Sequence, residues 1–258
     1  MVRRSRDRDS IIELFGLVER TRCTFSEEGD LILLDLREFD LTELPCEIEK
    51  LHHLHRLLLD RNQLTELPGT PGSLSHLQTL TLDGNQLTEL PAAIGDLRVL
   101  RYLHVSDNQL GKLPPEIARL ESLQELTLRK NQLRELPAEI GHLKRLRHLD
   151  LRGNQLTAVP GAIADLANLQ TLYLDSNMLP TVPGRLGALA NLLELALGNN
   201  QLREVPAELG QLVKLEKLSL YYNHLQTIPR ELGQLRDLQD LSLAENQLLE
   251  VPLANWGN

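Results

Sequence analysis

The sequence predicts an α/β solenoid, a stack of short units that each contribute a strand and a return segment. Three observations predict it. Asn recurs every 23 residues from Asn62 to Asn246. Pro recurs on the same period from Pro45 to Pro252, and those ten positions take ten of the chain's thirteen prolines. With each unit numbered from its first Leu, from Leu31 to Leu238, positions 1, 4 and 11 are Leu in all ten units. Position 6 is Leu in nine and Val105 in the fourth. A fixed period of this length is the signature of stacked repeats, because one unit cannot bury its apolar edge alone and its neighbours can cover it.

The elements follow in chain order. Residues 1–30 form an N-terminal segment. Within it, Ser10 and Glu13 are spaced as a capping box, and Ile11, Leu14, Phe15 and Val18 share one helical face, which predicts a helix over about 9–20 covering the first rung. Residues 31–252 hold the ten repeats. Alternation at positions 4 and 6 makes a short strand with one buried face. The Asn at position 9 closes the turn by bonding backbone groups that no ladder satisfies. Leu at 11, Leu, Val or Ile at 14, Ile or Leu at 18 and Leu at 21 line the rest of the inner wall, and Pro at 15 steers the return segment. The first repeat carries Phe39 in place of Asn. The second has Pro71-Gly72 where Ile-Gly is usual, so its return segment should be irregular. Residues 253–258 form a short tail in which Trp256 could shield the last rung. That end is weakly capped, which points to end-to-end self-association or to a longer parent chain.

The unit LxxLxLxxNxLxxLPxxIGxLxx, with "LPAEIGHL" and "LPAAIGDL" as examples, closely resembles the leucine-rich repeat family. Its length and its Pro-Ile-Gly segment are similar to the subclass found in Ras-associated scaffolds and their plant relatives, in bacterial effectors and in Roco-type GTPase proteins. The resemblance covers residues 31 to about 252. It implies a right-handed, curved solenoid with a parallel β-sheet on the concave face and short helical or irregular convex segments. It also implies a binding platform, a role that the fold alone does not connect to any one client.

Composition narrows the function. The chain is 41% hydrophobic and only 3% aromatic, so Leu supplies the core. A net charge of −9 argues against a broad phosphate-binding surface, so no nucleic-acid partner is expected. Two cysteines, Cys23 and Cys46, cannot build a dense disulfide framework and read as reduced structural thiols. The start "MVRRSRDRDS" lacks the apolar core of a Sec signal, and no apolar run has a membrane-spanning length, so the expectation is a cytoplasmic protein without membrane insertion. Non-Sec export as an effector stays open.

Enzyme motifs are missing: there is no P-loop, dinucleotide fingerprint, nucleophile elbow or HExxH. Cys23 has no His and acid partner nearby in sequence. The best metal candidate is "LHHLH", with His52, His53 and His55, where His53 and His76 both occupy position 23 in successive units, about one strand spacing (~5 Å) apart, against the plainer reading of surface histidines. The reading adopted is a non-enzymatic scaffold with no cofactor and no metal. The alternative is the recognition domain of a larger or exported protein whose catalytic part lies elsewhere.

The information then sits where side chains face solvent on the sheet, at positions 3, 5, 7 and 8. These columns vary while the framework does not. All four tyrosines, Tyr102, Tyr173, Tyr221 and Tyr222, fall in them. Tyrosine offers large contact area with few rotatable bonds and is enriched at binding hot spots. The expected partner surface is therefore the concave face of repeats 4 to 9, with His104, Arg129, Lys130, His148, Arg152 and Lys217 as polar neighbours. Arg129, Lys130 and Arg152 should form a small positive spot, interrupted by Glu125 and Asp150. The glutamates at positions 13 and 17, such as Glu135 and Glu139, lie off the strand and serve solubility.

Overall fold

Leu31, Leu34 and Leu36, at positions 1, 4 and 6 of the first rung, are fully buried, and the same three positions are buried in every rung up to the ninth. The periodic leucines therefore make one continuous core, seen in a computed structural model that describes residues 22–69 and 73–249. Among the described residues eleven strands form one open sheet in sequence order. They are β1 (Arg22–Phe25), β2 (Leu31–Asp35), β3 (Arg56–Leu58), β4 (Thr79–Thr81), β5 (Tyr102–His104), β6 (Glu125–Thr127), β7 (His148–Asp150), β8 (Thr171–Tyr173), β9 (Glu194–Ala196), β10 (Lys217–Ser219) and β11 (Asp240–Ser242). From β2 onward the pairing is parallel and in register, position 3 against position 3, as Tyr102↔Glu125 and Lys217↔Glu194 illustrate.

The return segments are five-residue 3-10 turns, from Cys46–Lys50 to Arg230–Gln234, each preceded by the periodic Pro. Proline's fixed φ and missing N–H suit the residue just before a turn whose first donors have no internal partner. The irregular segment expected at Pro71-Gly72 lies outside the described residues, as do the helix expected over 9–20 and Trp256.

The Asn column does more than close its own turn. Asn131 donates from Nδ2 to the carbonyl of Leu128 in its own rung (3.1 Å) and to that of Val105 in the rung before (2.8 Å). Its Oδ1 accepts the N–H of Leu110, also in the preceding rung, at 2.9 Å. Asn62, Asn85 and Asn223 repeat the pattern, so a column of amides stitches neighbouring rungs together inside the core.

The first rung is covered by β1, which pairs antiparallel with β2 through Arg22↔Asp35, Cys23↔Leu34, Thr24↔Leu33 and Phe25↔Leu31. Cys23 and Phe25 pack against the leucine core. The connecting turn is closed by Ser26 N–H to the Asp30 carbonyl (2.8 Å), with Gly29 in the left-handed region at φ 92°. At position 8 the backbone is left-handed in all ten units, including Arg61, Lys130, Ser176 and Tyr222. Glycine takes this conformation freely, as at Gly84 and Gly153, and elsewhere the turn imposes it on a side-chain-bearing residue.

Candidate functional site

On the concave face, positions 3 and 5 come from the strands and positions 7 and 8 from the turns that follow. In-register pairing places each residue directly beside its equivalents one rung away. The pairs that matter for recognition are therefore about 23 apart in sequence.

Tyr173, at the end of β8, is the hub. Its hydroxyl donates to Glu194 Oε2 at 2.6 Å. The Arg152 guanidinium lies over its ring, 4.7 Å from the centroid. His148 meets the ring edge-on at 5.3 Å, and its Nδ1 is in turn bonded to Thr171 Oγ1. Lys217 donates to the other oxygen of Glu194 at 2.7 Å, and Arg152 is clamped by the nearly buried Asp150 through Nε at 2.9 Å and through Nη2. Burial, then the bond to Glu194, pushes the Tyr173 hydroxyl up to about 12, so it stays a donor. The Lys217 and Tyr173 bonds hold the Glu194 carboxyl below its ordinary value. The result is an aromatic ring fixed from three sides. A side chain fixed before binding loses less entropy when a partner arrives.

Beside this hub is a shallow hollow of about 140 Å3, floored by Ala196, Ser219 and Ser242 and edged by Tyr173, Lys217 and Asp240. Tyr221 and Tyr222 meet edge-on at 5.9 Å. Tyr222 is 57% exposed. Tyr221 lies against Gly198 of the rung before, where an added Cβ would come within 2.2 Å of the ring. Tyr102 and His104 stand apart on β5. Tyr102 is 37% exposed, while His104 has Nε2 buried, 3.3 Å from Glu125 Oε1 but not aligned for a hydrogen bond.

The structure thus joins four of the ten expected residues, His148, Arg152, Tyr173 and Lys217, and groups Tyr221 with Tyr222. It does not form the expected positive spot. Lys130 turns to Asp107 at 3.0 Å and Arg152 to Asp150, so that of these three only Arg129 has no ion pair among the described residues. Of the two acids that looked like interruptions, Asp150 is the partner of Arg152, and Glu125 faces His104 instead. Asp150, Thr171, Glu194 and Gly198 were missed as site residues because column variety alone does not show who pairs with whom.

A larger groove of about 760 Å3 runs along the turns of the first four rungs, among Arg37, Asp60, Arg61, Asp83 and Asp107. Its carboxylates are used within the fold: Asp60 accepts from Thr81 Oγ1 and Asp83 N, and Asp83 accepts from Ser106 N. Cys23 is partly buried, and burial together with the Asp35 carboxylate pushes its thiol up, the opposite direction from an activated nucleophile. His53 and His76 stack at 5.8 Å, but His76 Nδ1 is committed to the His52 carbonyl at 2.8 Å. Among the described residues no group of three or more His, Cys, Asp and Glu is placed to hold a metal ion, and no helix is long and apolar enough to cross a membrane.

Family models for the leucine-rich repeat match residues 52–110, and models for a leucine-rich repeat region match residues 92–151 and 123–225. The chain belongs to the leucine-rich repeat family. A leucine-rich repeat protein of Leptospira interrogans is 40% identical with a TM-score of 0.81, over 86% of this chain and 56% of that one. The ectodomain of the receptor kinase GASSHO1/SCHENGEN3 from Arabidopsis thaliana, solved in complex with CASPARIAN STRIP INTEGRITY FACTOR 2, is 35% identical with a TM-score of 0.74, over 88% of this chain and 28% of that one. The functional domain of InlJ from Listeria monocytogenes is 26% identical with a TM-score of 0.74, over 85% and 45%. The leucine-rich repeat chain described here therefore spans between 28% and 56% of the length of these structures. A comparison with curated proteins finds no match. Leucine-rich repeat domains are in general non-catalytic protein-interaction modules.

Proposed function

We propose that this leucine-rich repeat protein is a scaffold that grips a protein partner on the concave face of repeats 4 to 9. The observation that carries the reading is Tyr173, an aromatic anchor held by Arg152, Glu194 and His148 next to a hollow with a small-residue floor. Tyr221 and Tyr222 extend the contact toward the C-terminal rungs, and Tyr102, His104, Arg129 and Lys130 toward the N-terminal ones. Lys217 orients the anchor through Glu194. Partner capture from the native cell, followed by affinity measurement, tests it. Tyr173→Ala and the double change Tyr221→Ala with Tyr222→Ala are each expected to weaken binding by at least about 1 kcal/mol without altering the fold. If both leave affinity unchanged while the convex change Glu139→Lys abolishes it, the concave assignment is wrong.

A second reading makes the chain the recognition part of a longer or exported protein. Its support is that the three similar structures described above are each longer than this chain. The reading frame around the chain, together with fractionation of the native cell, separates this from a cytoplasmic signalling scaffold.

A further inference from the structure

Along one edge of the solenoid the chain rises from each 3-10 turn into the next strand, through positions 23 and 2. There an open groove of about 350 Å3 crosses several rungs, and His55, His76, Gln78, Arg101, Gln124 and Arg145 line it. No Asp or Glu is in its lining. That is unexpected in a chain with 27 basic and 36 acidic residues. The other charged hollows contain carboxylates, Asp60 and Asp83 in the turn groove and Glu194 and Asp240 in the concave hollow.

Arg101 and Arg145 are exposed and have no ion pair among the described residues. Arginines close by on the convex turns are paired, Arg98 with Glu121 and Arg119 with Asp96, both at 3.8 Å. An arginine left without a carboxylate in an acidic protein keeps its full planar set of donors for an incoming one. The Gln124 amide lies between them and the Gln78 amide on the other side of Arg101, and both add neutral donors.

The floor of the groove is already ordered. The Gln78 N–H donates to the His55 carbonyl at 2.8 Å, Arg101 N–H to Gln78 at 2.8 Å and Gln124 N–H to Arg101 at 2.9 Å. This ladder presents one side chain per rung at the strand spacing of about 4.8 Å. His76 is fixed as well. A carbonyl can only accept, so the contact of His76 Nδ1 with the His52 carbonyl puts the proton on Nδ1 and leaves Nε2 as the basic nitrogen. From His55 to Arg145 the lining spans about four rungs, or roughly 15 Å, which an extended chain of on the order of four to five residues covers.

We propose that this edge groove is a second docking site, separate from the concave face, for an extended acidic segment of a partner protein. Arg101 and Arg145 take its carboxylates, Gln124 bonds between them and Gln78 beyond Arg101. The site stands on the edge of the solenoid and does not depend on the reading of the tyrosines.

The test uses the full chain and a fluorescein-labelled octaglutamate peptide, read by anisotropy at low ionic strength. Saturable binding is expected, weakened at least about tenfold by Arg101→Glu with Arg145→Glu, since each change removes an arginine–carboxylate pair and adds a like charge. Two controls should stay within about twofold of wild type, in line with the small effect of distant sites. One is Tyr221→Ala with Tyr222→Ala on the concave face. The other is Arg134→Glu with Arg203→Glu, the same change in charge at exposed positions outside the groove. The proposal is overturned if wild type shows no saturable binding, or if the two arginine double changes weaken it equally, because net charge is then all the peptide feels. Tighter binding of a labelled oligothymidylate of equal charge would overturn the acidic-peptide assignment in favour of a phosphate polyanion.

Discussion

Asn131 shows how one residue type can hold a repeat together. Its side chain satisfies two carbonyls and one N–H, all in the core, and two of those three groups belong to the preceding rung. Asn131→Ala would leave them without partners and without water. The expected cost is about 1–3 kcal/mol in urea denaturation, against a loss near zero for Thr127→Ala on the solvent side of the same rung. Equal losses would remove the structural account of the Asn column. The carboxyl of Asp83 has a different balance. Burial, reinforced by Asp60, pushes it above the ordinary range although it accepts the Ser106 N–H at 2.6 Å. With the folded value above the unfolded one, the native state holds the proton more tightly. Its contribution to stability is then present in acid and lost as pH rises through the raised value. The charged form is thus a cost at neutral pH. Asp83→Asn keeps an acceptor for Ser106 and removes the charge, so it should melt above wild type at pH near 7. The gap should close as pH falls toward about 4, near the ordinary carboxylate range. A gap that widens on acidification would show that the carboxylate itself is stabilising. Asp35 and Glu194 act in the other direction. Arg37 and Lys217 hold them down, and their contribution is lost only at lower pH.

Among the elements, β1 is the one that sequence patterning did not reveal. Its apolar content is Cys23 and Phe25 alone, too short an alternation to register beside ten copies of a stronger signal, and the amphipathic run at 9–20 offers a more visible cap. Pairing with β2 gives β1 its role, since an open edge strand presents a row of unpaired backbone groups. A chain begun at Glu27 should lose amide protection in β2 and aggregate with rising concentration, measured by hydrogen exchange and light scattering. Full protection in β2 without β1 would show that the first rung needs no cover. The strands and 3-10 turns themselves were legible, because each is set by residues a few positions apart: alternating leucines for the strand, Pro for the start of the turn. The left-handed backbone at position 8 was signalled only by Gly84 and Gly153. Seven of the other eight residues donate from this conformation to the next rung, such as Lys130 N–H to the Arg152 carbonyl at 2.7 Å, and Glu245 shares the conformation in the last unit.

At the scale of the whole molecule, each rung touches only its neighbours, so contact order and sequence period are the same information. That is why the sequence by itself determined the solenoid, the register of its parallel sheet and the buried leucines. Partners 23 apart are visible as a repeat. Pairings on the surface were decided by the tertiary structure. Arg152 could have joined Arg129 and Lys130, and instead it folds back on Asp150 and across Tyr173. Glu194 could have been a stray acid, and it binds Tyr173 and Lys217 together. Arg101 and Arg145 sit in columns that do not face the concave side, and only the rise of the chain along the edge brings them to one groove. The physical reason is the same in each case. Burial of a leucine depends on its place in the period and little on its exact neighbour. A hydrogen bond or ion pair depends on distances of about 3 Å and on the rotamers of long side chains, and these are settled only when the rungs are stacked.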